Sequence, residues 1–120
     1  RKHDIYYLEF KGAKVQFPIC EILYLEAALR HLKVYHSQTG MHEKFGQIGQ
    51  EEEKLKNYGF VRCHHSFIIN LQYIERIEQQ TAYLVNPQSR EEIPIPISKG
   101  KLDQVNYSYQ MWLIEQELLP

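Results

Sequence analysis

The chain has no surplus of charge, no long apolar run and almost no cysteine, and each shortage closes off a class of function. Its 14 Lys and Arg stand against 15 Asp and Glu, a formal net charge of −1 with His neutral. A strongly basic balance is the usual footprint of a nucleic-acid binder, so such a reading must rest on where charge lies and not on its sum. No stretch approaches the roughly 18 consecutive apolar residues of a membrane-spanning helix. The opening Arg1-Lys2-His3-Asp4 lacks the apolar core of a secretory leader. Two cysteines, Cys20 and Cys63, make no disulfide framework, which points to a cytoplasmic setting with reduced thiols. Metal-ligand spacing is missing too: there is no CxxC or HxxxH pair, and adjacent His64 and His65 are badly placed to share one ion. Cys63 beside His64 suggests a thiol dyad, but successive strand residues point to opposite faces. A strand cysteine between apolar neighbours reads as an inert core thiol. With no Gly-rich phosphate loop and no paired carboxylate site, neither catalysis nor a cofactor is expected.

What remains is a folded, mainly β chain. Its 120 residues are about one domain, and 43% hydrophobic content with nine Tyr and five Phe supplies a modest core. It opens on Arg and not Met, so it reads as a piece of something longer. Charge is segregated: Glu51–Glu53 and Glu91–Glu92 form acidic blocks, while Arg1, Lys2, Lys11, Lys14, Arg30 and Lys33 lie mostly elsewhere. Tyr6, Leu8 and Phe10 alternate with polar neighbours, as do Ala13, Val15 and Phe17, and the pair about Gly12 predicts a β-hairpin with Pro18 ending its second strand. Ile22–Ala28 reads as a strand, Leu29-Arg30-His31 as a polar corner, Leu32–Ser37 as the return strand and Gln38-Thr39-Gly40 as a turn into Met41–Phe45. Gln47–Tyr58 predicts a helix, its glutamates early and Lys54 and Lys56 late to suit the dipole, with Gly59 as the C-terminal cap. On that argument Glu51, Glu52 and Glu53 form a solvated first turn. Further strands are expected at Phe60–Cys63, Phe67–Ile69, Ile74–Glu78, Thr81–Val85 and Glu92–Ile97, around an Asn86–Ser89 loop. The Ser98 hydroxyl is expected to cap a final helix in which Leu102, Val105, Tyr109 and Trp112-Leu113 keep helical spacing. Asn106–Pro120 reads as a helical tail that packs on the domain or on a partner.

Phe60 to Ile74 is the most informative stretch. Two hydrophobic runs flank Arg62, His64, His65 and Ser66, a layout that sets polar donors at the rim of a rigid scaffold, where partners are met. Asn70 closes the second run as a turn residue that tolerates left-handed geometry. Phe-Val-Arg-Cys-His-His-Ser-Phe-Ile-Ile-Asn resembles the signature of LytTR domains, the DNA-binding output module of LytR/AlgR-type response regulators. Ile22-Leu-Tyr-Leu-Glu-Ala is similar to the family's early strand, and Pro94-Ile-Pro-Ile-Ser-Lys-Gly-Lys to its late strand. Together these span about residues 4–106 in the family's order.

The resemblance implies an elongated stack of small antiparallel sheets with one short helix, here followed by a C-terminal helix. It divides the chain into a DNA-binding domain, residues 1–106, and a helical extension, residues 107–120. It also implies loops inserted into successive major grooves of double-stranded DNA. The first loop corresponds to Leu29, Arg30, His31 and Lys33, with Arg30 and Lys33 on phosphates and His31 reaching a base. At the signature rim, Arg62 is either a guanine or phosphate reader or a surface Arg paired with an acid. His64 braces the loop or donates to a phosphate, His65 points into the groove, and Ser66 donates to a phosphate or closes the turn. The last contact corresponds to Lys99; Gly100 replaces the second basic residue that many members carry, and Lys101 is placed to compensate. Tandem binding to direct repeats, dimerisation on DNA and an upstream receiver domain are implied as well. The rival reading, favoured by the low net charge and Gly100, is a β-rich protein-interaction or ligand-sensing module.

Overall fold

The structure, a computed structural model, describes residues 4–118. Arg1 and Lys2 of the basic set, and Leu119 and Pro120 of the expected tail, lie outside it. Strands β1 (Ile5–Phe10) and β2 (Ala13–Pro18) form the first hairpin. Its turn residues, Lys11 and Gly12, both take left-handed φ values, 49° and 85°, a primed-turn conformation whose twist matches that of the strands it joins. Strands β3 (Ile22–Ala28), β4 (His31–His36) and β5 (Gly40–Phe45) follow. Helix α1 covers Ile48–Leu55 and tightens into a 3-10 turn over Lys56–Tyr58. Gly59 then ends the turn at a φ of 83°, so the predicted stop holds. Strands β6 (Phe60–His64) and β7 (Phe67–Asn70) return to the middle sheet, and β8 (Ile74–Glu78), β9 (Thr81–Val85) and β10 (Glu92–Pro96) make the last one. Helix α2 runs from Leu102 to Leu118.

All pairings are antiparallel, in a two-stranded sheet β1-β2, a five-stranded sheet β5-β4-β3-β7-β6 and a three-stranded sheet β10-β9-β8. The fold is the expected mainly β stack with one short helix and a C-terminal one. The inner strands of its five-stranded layer, β7 above all, are covered on both faces, while edge strand β5 is not. Ile68 and Leu25 point into a core shared with Tyr6, Leu8, Phe17 and Leu55 of the hairpin and α1. Ile69, Val61 and Cys63 point the other way, into a second core with Ala82, Leu84, Ile95 and Val105 of the three-stranded sheet and α2. Burial of both faces explains why Phe67-Ile68-Ile69 shows no polar alternation.

Three local expectations change. Glu51 is not solvated: it is 1% exposed, it accepts a hydrogen bond from the Tyr6 hydroxyl, and its carboxylate lies 2.9 Å from Lys44 Nζ. Successive helix residues are rotated by about 100°, so three consecutive carboxylates cannot all face water. Glu51, one turn before buried Leu55, is the one turned inward. Ser98 precedes the 3-10 turn Lys99–Lys101, but its side chain makes no cap; its carbonyl accepts the Lys101 N–H at 2.9 Å instead. Asn70 is structural, as expected, yet with extended backbone (φ −88°) and not left-handed. Its amide donates to the Ile22 carbonyl at 2.9 Å, and its Oδ1 accepts the Gln72 N–H at 3.2 Å.

Candidate nucleic-acid interface

Strand register brings the predicted corners to one end of the middle sheet. β3 and β7 are antiparallel neighbours with Glu26 opposite Phe67, so the end of β3 meets the start of β7. The β3–β4 turn at Leu29-Arg30 therefore sits beside the β6–β7 turn at His65-Ser66. The Ala27 N–H donates to the Ser66 carbonyl at 2.8 Å and ties the two together. On the far side of β6 the Ser98 N–H donates to the Cys63 carbonyl at 2.9 Å, which brings the Lys99–Lys101 turn to the same rim.

The side chains at this rim divide into exposed groups and braces. Arg30 is exposed and holds a left-handed φ of 65°, a conformation that costs a non-Gly residue about 1 kcal/mol. His65 and Lys99 are exposed, and Lys33, Ser66 and Lys101 half-buried. Arg30, Lys33, Lys99 and Lys101 form no ion pair among the described residues. In register, Lys33 lies between Glu26 and Glu43, which tempers its local potential.

Arg62 is a brace. It lies 3.3 Å from Glu52 of α1 and donates to the carbonyls of His64 (3.4 Å) and His65 (2.7 Å). Of its two sequence readings, the acid-paired one is what the structure contains. His64 accepts the Ser66 N–H at Nδ1, 3.1 Å away, which requires that nitrogen to be unprotonated. Burial, then the neighbouring His65 charge, pulls its pKa below the ordinary histidine value, in keeping with a neutral loop brace. His31 is held at Nδ1, 2.9 Å from the Leu29 carbonyl, and by its ring, 5.3 Å from that of Phe10, while Nε2 lies 3.0 Å from Glu43 without hydrogen-bond geometry. Cys63 is fully buried, and burial raises its thiol pKa to about 12, so it carries no thiolate.

Sequence reasoning missed the two acids that hold the rim. Glu52 gave a signal, because in sequence it falls on the helix stripe of Ile48, Leu55 and Tyr58 as its one polar member. Glu43 gave none, because its partner His31 is met only through strand register. Leu29 is 83% exposed at the turn tip, an apolar group among basic ones.

Three antiparallel sheets that hold braced turns along one rim define a small, mainly β domain that presents its loops at one edge. The LytTr DNA-binding domain family matches residues 12–109, and the chain belongs to that family. Among solved structures it is similar to the LytTr DNA-binding domain of a protein from Bacillus cereus described as a methyl-accepting/DNA response regulator. Identity is 27% over 87% of this chain and 94% of that one, with a TM-score of 0.63. No curated protein matches the chain. Family membership supports DNA binding in transcription regulation. No helix among the described residues is long and apolar enough to cross a membrane.

Proposed function

We propose that this domain is the output module of a cytoplasmic two-component response regulator and reads double-stranded DNA with its rim. The observation that carries the reading is the pair of backbone hydrogen bonds, Ala27 to Ser66 and Ser98 to Cys63, that join the turns along one edge. Arg30, Lys33, Lys99 and Lys101 neutralise phosphates, Ser66 donates to one, and His65 enters a major groove. Arg62 and His64 act by positioning that turn, and His31 reaches a base only by giving up Glu43. Affinity comes mainly from the cations, and each well-formed base contact adds about 1–3 kcal/mol of discrimination. DNA binding resides in residues 1–106, and residues 107–120 form an extension. An upstream receiver domain drives pairing on direct repeats, so the isolated domain binds a half-site weakly or forms no dimer of its own.

A salt titration of binding to a duplex selected from random sequence tests this. Each neutralised phosphate lowers log K by about 0.9 per log unit of salt, so four cations give a slope of about −3 to −4. A salt-insensitive interaction, or none with any duplex, would favour the protein-interaction or ligand-sensing module.

A further inference from the structure

The row of rim contacts does not stop at Lys99. One residue before the Ser98 N–H reaches Cys63, the Ile97 N–H donates to the Gln80 carbonyl at 2.8 Å. That bond continues the β9–β10 ladder, in which Thr81 lies opposite Pro96, past the ends of both strands. It sets the β8–β9 turn, Gln79-Gln80, beside the Lys99–Lys101 turn. The Ala27–Ser66 bond sets the β3–β4 turn beside the β6–β7 turn in the same way. Both glutamines are exposed, and neither carboxamide has a partner among the described residues. Gln79 is the tip, at a left-handed φ of 53°.

We propose that the Gln79-Gln80 turn is a fourth DNA-reading corner, and that its carboxamides read an adenine in the major groove. The inference rests on the DNA reading of the rim and extends it to a turn outside the loops that the resemblance marks. Hydrogen-bonding pattern selects the base. A carboxamide holds an acceptor oxygen beside a donor nitrogen in one plane. Adenine presents the complement on its major-groove edge, the N7 acceptor beside the N6 donor. Charge selects a base over a phosphate. The turn carries no cation, and the acids of the adjoining strands, Glu75, Glu78 and Glu92, share the single guanidinium of Arg76. That surplus of carboxylates opposes a phosphate at this place, whereas a neutral amide meets a base edge with no charge to satisfy. Attraction to the duplex comes from Lys99 and Lys101 next to it, and the glutamines supply selectivity.

Binding of the 120-residue chain to a duplex selected from random sequence, with each adenine in turn replaced by 7-deazaadenine, tests it. The replacement removes N7 and keeps Watson–Crick pairing. At one adenine the unaltered chain should lose several-fold in affinity. Gln79→Ala with Gln80→Ala should bind the unmodified duplex several-fold more weakly and show no further loss on replacement at that adenine. The salt slope of the variant should be unchanged, because a neutral carboxamide releases no counterion. Its melting temperature should match the parent's, because both side chains are exposed. A variant that keeps the parent's sensitivity at every adenine, or that binds all duplexes more weakly alike, would overturn the proposal and leave the DNA reading standing. A parent chain that binds no duplex would overturn both.

Discussion

Glu51 sets the energetic tone at the scale of single residues. Burial pushes its carboxyl pKa up, but the Tyr6 hydroxyl and the Lys44 ammonium outweigh burial and hold it below the ordinary carboxylate range. The group is therefore more acidic folded than unfolded. Its contribution is complete above the unfolded pKa of about 4.3 and is lost as pH falls through the folded value. Glu51→Ala removes the carboxylate that Lys44 and Tyr6 share, leaving the Lys44 ammonium only the Tyr6 hydroxyl 3.3 Å away, and should cost about 3 kcal/mol in urea unfolding at neutral pH. Glu51→Gln should flatten the acid limb of the stability profile. Arg62 and His65 share a turn but should part company under mutation. His65→Ala should reduce discrimination among DNA sequences and leave the melting temperature nearly unchanged. Arg62→Ala removes the donor to two turn carbonyls and the partner of Glu52, so it should lower both affinity and melting temperature. A His65→Ala variant that melts early with its specificity intact would reverse these roles.

Among secondary-structure elements, Gly59 is the sharpest case. It stops the helical segment at a φ of 83°, and an added Cβ would lie 3.7 Å from the Trp112 ring, an ordinary contact. Gly59→Ala should therefore cost about 1 kcal/mol from backbone strain alone, read as a shift in urea midpoint with unchanged slope. Lys99 begins the 3-10 turn before α2. Lys99→Ala should weaken binding to all duplexes alike and shallow the salt slope by about 0.9; loss confined to one base pair would make it a base reader. The element scale is also where the sequence spoke most clearly. Alternation in β1 and β2, the Gly59 stop and the period of Leu102, Val105, Tyr109 and Trp112 each follow from local rules and match the observed element, whereas Leu113, read into the same run, is exposed at 42%. The misses came where a local rule met a tertiary one. The dipole argument fixed the order of charges in α1 but not its rotation about its own axis, which Leu55 sets. Capping preference favoured the Ser98 hydroxyl, but the Ser98 carbonyl took the contact. The rim shows the same limit: Arg62 and His65 were legible as candidates, whereas their division into brace and tip depends on Glu52, ten residues away in sequence from Arg62.

For the whole molecule, the decisive feature is one sheet serving two cores. Ile68 and Ile69 are adjacent in sequence yet belong to different cores, so neither core can loosen without disturbing the strand they share. Unfolding should be a single cooperative event. The single tryptophan, Trp112, reports on the second core, and far-UV circular dichroism reports on the entire chain. Their urea midpoints should coincide; a separated tryptophan transition would mean that the α2 side opens on its own. The net charge of −1 fits the same picture, because Glu51 and Glu52 are engaged by Lys44 and Arg62 inside the structure while Arg30 and Lys99 stand exposed at the rim.

The Arg62 brace has a consequence for the thermodynamics of encounter. Its guanidinium holds the successive carbonyls of His64 and His65, where the chain leaves β6 for the bend, and is itself pinned to α1 by Glu52, so the bend has given up much of its conformational freedom before any ligand arrives. Immobilising a loose tip would subtract from affinity; here that entropic toll falls on folding, and contacts made by His65 retain more of their worth.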